Sequence, residues 1–325
     1  MGNYQLPSKI TFYPSYPLYA YASGLLNATG NISGLFERNI YDLISLNPSN
    51  VKSFSNTEDE FVKFNIDGER TSDFFMTLGH NFKDISQSLT LTENDIDVSA
   101  TQIVNNSIGN ACNYNGWSLS TLSETTTKDL KISFDNFGHT KVGSFLWGKK
   151  FEFPHNVDLN VSLKVDYGFS AKKSISGKTL STLNYDKTDK WLLDAWELDE
   201  NTADTRGQAT ESRNGVRTWN CNLSFLQDSK MMSQNNMLNS DNWSQDSESE
   251  YSTGADGSSL HNTSNSTDFY SSVIKMTMNG HLPCIVNISE SNNPDQWAIV
   301  RINSYQIQQS NPKLISYKLV LEEQV

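Results

Sequence analysis

Five histidines, three cysteines and a few paired carboxylates are the residues whose types could do chemistry, and their spacing limits what that chemistry is. His80, His139, His155, His261 and His281 are scattered, with no HExxH or other metal-ligand spacing among them. His80 stands in the turn sequence Leu78-Gly-His-Asn81. An imidazole there can hydrogen-bond to backbone; as a catalytic base it would need a Ser or Cys nucleophile motif, and none accompanies it. Asp95 and Asp97 fall on one face of a predicted strand, while Asp67-Gly68 and Asp256-Gly257 are turn pairs. Paired carboxylates can serve a glycosidase as acid and base or a calcium ion as oxygen ligands, but none of these has the loop spacing a dedicated calcium site needs. Cys112, Cys221 and Cys284 lie far apart, with no CxxC pair and no neighbouring histidine, which reads as buried free thiols made in a reducing compartment. With no GxGxxG, Walker or GxSxG motif either, the chain is read as a non-enzyme that holds no cofactor and no metal.

The aromatic residues carry the binding potential instead. Of the seven tryptophans, Trp147, Trp191, Trp196, Trp219 and Trp297 sit on strand-like or Trp-rich patterns, while Trp117 and Trp243 are set in loop sequence. A loop tryptophan can stack on a sugar or pack on a neighbouring subunit. Trp117, with His80 and Asn81, is the candidate ligand-binding set. Phe12 with the adjacent Tyr13, Trp243 and Trp297 are the candidate assembly contacts.

The elements that must position these residues read as β. Hydrophobic residues make up 36% of the chain, low for a compact enzyme, but 11% aromatic residues and 19% charge exclude a disordered chain. Ser, Thr, Asn and Tyr suit many short strands joined by polar loops. The net charge of −12 repels phosphate backbones, and no Lys/Arg run opposes it, which excludes nucleic acid as a partner. No stretch reaches membrane-spanning length, and the first residues lack the basic start and apolar core of a secretory signal, so no membrane insertion is expected.

Residues 1–35, with Pro7, Pro14 and Pro17 followed by Gly24, Gly30 and Gly34, predict an extended arm and no helix. Over 36–150 the alternations Val62, Phe64, Ile66 and Leu130, Ile132, Phe134, with the apolar run Phe74 to Leu78, predict short strands. One helical piece is expected near Asn39 to Leu46, stopped by Asn47-Pro48. From 151 to 325 a second β unit is expected. It opens on the alternation Val157 to Val165, continues through Trp219, Cys221, Leu223 and Phe225 on one face, and closes on a hairpin whose last strand alternates Ile315, Tyr317, Leu319 and Leu321. Tyr167-Gly168 and Ser176-Gly177-Lys178 are turns, Trp191 to Leu198 suits a strand or helix, and Phe269 to Ile274 suits a short helix. The Ser/Asn/Asp-rich stretch 229–268 cannot bury enough apolar surface to offset an ordering cost of ~1–2 kcal/mol per residue, and reads as a surface excursion.

Two resemblances add to this. Phe75-Met-Thr-Leu-Gly-His80-Asn81-Phe, Leu130 to Phe134 and Val142 to Gly148 together resemble the galactose-binding or discoidin-like jelly roll over roughly 40–150, which implies that ligands would sit in loops such as the one at Gly116-Trp117. Phe145 to Asp166, Arg217 to Phe225, Gly280 to Pro283, Asn292 to Ala298 and Tyr317 to Glu323 resemble a virion structural protein of marine tailed bacteriophages, and the closing strand is loosely similar to distal-tail proteins. That resemblance implies a tail or baseplate subunit without a cofactor, made in the bacterial host cytoplasm and localised to the virion. Its partners would be copies of itself in a symmetric oligomer and other virion proteins. The alternative is a carbohydrate-binding module that recognises a host surface glycan. The expected fold is all-β, two β-sandwich or jelly-roll-like domains at 36–150 and 151–325 behind an extended N-terminal arm.

Overall fold

Where the sequence alternates, the chain makes strands buried on one face; where it runs apolar without alternation, it makes strands buried on both. This computed structural model describes residues 9–32, 40–46, 52–56, 60–82, 85, 88–93, 96–97, 100–104, 116–134, 138–158, 161–166, 169–183, 216–227, 268–289, 297–311 and 314–324. The all-β expectation is met by two seven-stranded antiparallel sheets and two small two-stranded ones. The first large sheet runs Phe151–Glu152, Thr11–Tyr13, Cys284–Asn287, Trp297–Asn311, Leu314–Glu323, Val216–Gln227, Ser162–Asp166. The second runs Ser144–Gly148, Phe61–His80, Gly116–Phe134, Leu89–Glu93, Ile96–Asp97, with Leu26–Gly30 beside Phe61–His80 and Ala100–Val104 beside Gly116–Phe134.

The two longest strands, Phe61–His80 and Gly116–Phe134, pair along their lengths, with register slips after Asn65, Ser72 and Leu78. Slips of this kind bend a ladder. They let the first half of Phe61–His80 pair with Leu26–Gly30 and its second half with Ser144–Gly148.

Three apolar layers hold the sheets. Val62, Phe64, Ile66, Phe75, Leu130, Ile132, Phe145 and Trp147 belong to the core of the N-terminal half. Phe12, Phe153, Trp219, Cys221, Val286, Val300, Tyr317 and Leu319 belong to the core on the far face of the first sheet. Between them, Phe74, Met76, Leu78, Leu119 and Leu146 of the second sheet meet Tyr13, Ile285 and Ile299 of the first. This middle layer explains the unbroken runs: in Phe74 to Leu78 and Phe145 to Trp147, neighbouring side chains point into different cores. Fully burying a large apolar side chain contributes roughly 1.5–3 kcal/mol, so a shared layer of this size ties the two sheets together.

The segment after the polar excursion joins both cores. Asp268 caps it by accepting from the Ser271 amide at 2.8 Å. Tyr270–Ile274 then forms one wide π-helical turn, as the expected short helix. Val273 and Ile274 enter the far core, while Met276 reaches the core of the N-terminal half. Met278, Asn279 and Gly280 follow with φ of 49°, 59° and 86°, three consecutive left-handed residues that turn the chain into Cys284–Asn287.

Three expectations are corrected. Residues 16–22 of the predicted arm are an α-helix, Tyr16–Ala22. Ser15 caps it, its side chain accepting from the Leu18 amide at 3.2 Å. Pro17 falls in the first turn, where the amide it lacks would have no partner in the helix. The strand predicted from Val157 begins only at Ser162, because Asp158 turns inward to accept from the Ser224 hydroxyl at 2.6 Å. The alternation after Trp219 breaks at a bulge between Leu223 and Leu226, which places Leu226 in the core. Near Asn39 to Leu46 the helical piece is a single 3-10 turn, Tyr41–Ile44, and the C-terminal hairpin is present as Trp297–Asn311 and Leu314–Glu323. Cys112, Asp95, Trp191 to Leu198, Trp243, His261, Tyr167-Gly168, Asp256-Gly257 and all of the excursion but Asp268 lie outside the described residues.

Candidate functional site

The Leu-Gly-His-Asn turn closes the long strand Phe61–His80. Gly79 takes a φ of 65° there, beside a register slip, and this swings His80 fully inside. The imidazole stacks on Phe82 at 4.3 Å and 23°. Its Nδ1 accepts from the Phe82 amide at 3.4 Å, and its Nε2 finds no hydrogen-bond partner among the described residues. Burial pushes its pKa down to about 3, since a charged ring there would lose its water. His80 is thus neutral and out of reach of a surface ligand.

Asn81 is also buried, and both ends of its amide are committed to backbone. Nδ2 donates to the His139 carbonyl at 2.9 Å and Oδ1 accepts from the Lys141 amide at 2.7 Å. It pins the strand Gly138–Val142 to the end of Phe61–His80. Both residues therefore hold the fold, and the structure does not bring them to a common surface with Trp117.

What it does bring together are residues read separately as ligand and assembly contacts. Trp117, expected in a loop, instead opens the strand Gly116–Phe134 and pairs with Leu78, because the ladder with Phe61–His80 runs to the end of that strand. Trp297 opens the strand Trp297–Asn311 in the other sheet. Their rings meet at 4.9 Å and 51°, both half-buried. Tyr13 lies 5.2 Å from Trp297 and stands edge-on to Phe74 at 5.1 Å and 90°. The result is an aromatic junction at the end of the layer between the sheets, with Tyr13 and Phe74 inside and the tryptophans at its margin. Burial, with the charges of Asp73 and Glu152, raises the Tyr13 pKa, so the phenol stays protonated. Phe12, the neighbour of Tyr13, points the other way into the far core, against Phe153 and Phe269.

Arg217 fixes the position of Trp297 from the opposite face. Its Nε and Nη2 fork onto the Glu323 carboxylate at 3.0 and 2.6 Å, and Nη2 also reaches the Trp297 carbonyl at 3.3 Å. Its guanidinium lies 4.9 Å over the ring of Trp219. A rigid planar fork suits this threefold task where a lysine would not. The spacing Arg217, Trp219 on one strand face was visible in sequence, but Glu323 lies too far along the chain for any local signal to pair it.

Among the described residues the cysteines and possible metal ligands stand apart. Cys221 and Cys284 are buried free thiols whose pKa burial pushes up to about 12, so neither is a thiolate nucleophile. Among the described residues no group of three or more His, Cys, Asp or Glu side chains could hold a metal ion.

No family model matches the chain, and no curated protein matches it. Among solved structures it is similar to the CBM32-6 domain of CpGH89 from Clostridium perfringens (13% identity, 38% of this chain and 93% of that one, TM-score 0.30). It is also similar to the CBM32-5 domain of CpGH89 from the same organism, in complex with GalNAc-β-1,3-galactose (13% identity, 39% and 96%, TM-score 0.30). The CBM32 of AlyQ, in complex with 4,5-unsaturated mannuronic acid, matches at 14% identity over 42% and 96%, with a TM-score of 0.28. These domains are of the discoidin-like kind that the sequence resembles over 40–150, and the virion resemblance has no support among them. Scores this low are too loose to carry a ligand from those domains to this chain.

Proposed function

We propose that the chain is a non-catalytic carbohydrate-binding protein whose sugar platform is the aromatic junction of Trp117 and Trp297. The observation that carries this reading is the convergence of two half-buried indole rings, 4.9 Å apart, at the margin of the inter-sheet layer. Tyr13 and Phe74 hold them from behind. A sugar ring offers a face of C–H groups to an aromatic plane, and a platform held rigid by its neighbours loses little entropy on binding. In sequence, the segments leading into the two tryptophans are rich in amides: Asn105, Asn106, Asn110, Asn113 and Asn115 before Trp117, Asn292 and Asn293 before Trp297. Amides supply the paired donors and acceptors that hydroxyls need.

Screening the intact chain on an array of neutral and uronic-acid glycans should return a ligand. Trp117→Ala should then weaken it about tenfold to a hundredfold, the usual range for losing an aromatic anchor, with a retained cooperative unfolding transition as the control for folding. A blank array for the natural sequence removes this function.

The second reading is a structural subunit of a bacteriophage tail or baseplate, resident in the virion. What supports it is the hairpin of Phe169–Lys173 and Thr179–Leu183, whose residues 170–182 are exposed except Ser174 and which could contact a neighbouring subunit. Peptide mapping of purified particles should find the chain in fixed proportion to other virion proteins, and its absence from particles would end this reading.

A further inference from the structure

The hairpin that joins Phe169–Lys173 to Thr179–Leu183 has no third strand among the described residues. Its tip is well formed: the Ser174 amide donates to the Lys178 carbonyl at 2.8 Å, the Gly177 amide to the Ser174 carbonyl at 2.9 Å, and Gly177 takes a φ of 80°. Yet from Ser170 to Thr182 every residue except Ser174 is exposed. Ile175 at the tip is fully bare and Leu180 is 62% exposed; with Tyr21 they are the exposed large apolar side chains among the described residues. A two-stranded ribbon with both faces in water is marginally stable by itself. Bare apolar side chains at its end mark a contact surface.

Its charge is opposite to that of the rest of the chain. Lys172, Lys173 and Lys178 lie on it and no acidic residue does, so all 37 acidic residues of this −12 chain are elsewhere. Lysines on a strand edge can also serve to keep other edges away. That role does not account for Ile175 and Leu180, which an edge built only to repel would not display.

We propose that the hairpin Phe169–Leu183 is the arm by which one copy of this chain docks on the acidic body of a second copy. Two hairpins facing each other would bring six lysines together, so the arms do not meet each other; the arm of one copy seats on a different surface of the next. Such contacts are either exchanged reciprocally in a closed dimer or run head-to-tail into rings or filaments. Charge attraction sets the encounter, and burial of Ile175 and Leu180 holds the contact. This docking is independent of glycan binding at Trp117, and either can fail without the other.

Light scattering on the intact chain tests it, at low and at molar salt and over a range of concentration. The expected result is a concentration-dependent oligomer that dissociates with salt. Ile175→Ser, and separately the triple variant Lys172→Glu, Lys173→Glu, Lys178→Glu, should each weaken it about tenfold or more while leaving melting temperature and glycan binding unchanged. These side chains touch no core, so loss of folding does not confound the result. A monomer at every concentration in low salt overturns the proposal, whether the hairpin stays bare or is covered by its own chain. An oligomer indifferent to both variants overturns it as well.

Discussion

Replacing Gly280 by alanine is expected to destabilise the fold by roughly 3 kcal/mol or more, the sum of a left-handed backbone penalty and an overpacked contact. Gly280 has a φ of 86°. A Cβ there would overlap the carbonyl oxygen of Ile302, with the Ile302 side chain beside it. Ile302 is paired with Leu321 in the hairpin ladder, so its carbonyl cannot retreat without disturbing that pairing. Gly177 provides the control, because its φ of 80° is nearly the same while nothing lies within 4 Å of the Cβ it would gain. Gly177→Ala should therefore cost at most the backbone term, about 1–2 kcal/mol. Urea denaturation of both variants measures the difference directly. Equal losses would mean that the close approach of Gly280 to Ile302 is unimportant to stability.

Acid should weaken the protein through His80. In the folded chain burial pushes its pKa down to about 3, whereas an exposed histidine titrates near 6.5. Between those values the unfolded chain binds a proton that the folded chain refuses, so stability rises with pH across this window and falls as pH drops below about 6.5. Above about pH 6.5 both states are neutral and the effect vanishes. By about pH 4.5 the loss from this one group is on the order of 3 kcal/mol. His80→Asn keeps an acceptor for the Phe82 amide and removes the titration, so its stability should be lower at neutral pH but should decline less on acidification. Carboxylates titrate in both proteins, so the informative quantity is the difference in slope between about pH 6.5 and 4.5. Parallel slopes would show that the buried ring is not held neutral.

The β character was legible in the sequence, because burial of one face leaves a periodic mark on the residues themselves. Phe74 to Leu78 and Phe145 to Trp147 lack alternation for a reason the structure makes plain, as both faces of those strands are covered. The helix Tyr16–Ala22 was hidden by Pro14 and Pro17. Proline forbids a helix interior but is well accommodated in a first turn, so its meaning depends on a cap three-residue context that composition does not convey. The candidate site was legible only in pieces. Trp117 and Trp297 were each singled out, but their meeting joins strands far apart in the chain, and no local pattern encodes that. His80 and Asn81 drew notice because polar residues in a turn suggest binding. Their amide and imidazole groups instead satisfy buried backbone, which is the commoner use of such groups inside a protein.

The strand Thr11–Tyr13 lies in the first sheet between Phe151–Glu152 and Cys284–Asn287, with Thr11 opposite Asn287. This sets an order in time. A ribosome adds roughly 5–20 residues per second, so Thr11 emerges at least ten seconds or so before the strand that must hold it. During that interval the core of the N-terminal half can form, since its residues are nearly all made early, but the first sheet cannot close. Its central strand edge and the apolar face of Phe74, Met76 and Leu78 stay open until Cys284–Asn287 arrives. Nascent chains arrested before that point are the form most exposed to aggregation, and the arrival of Cys284–Asn287 and Trp297–Asn311 ends that exposure.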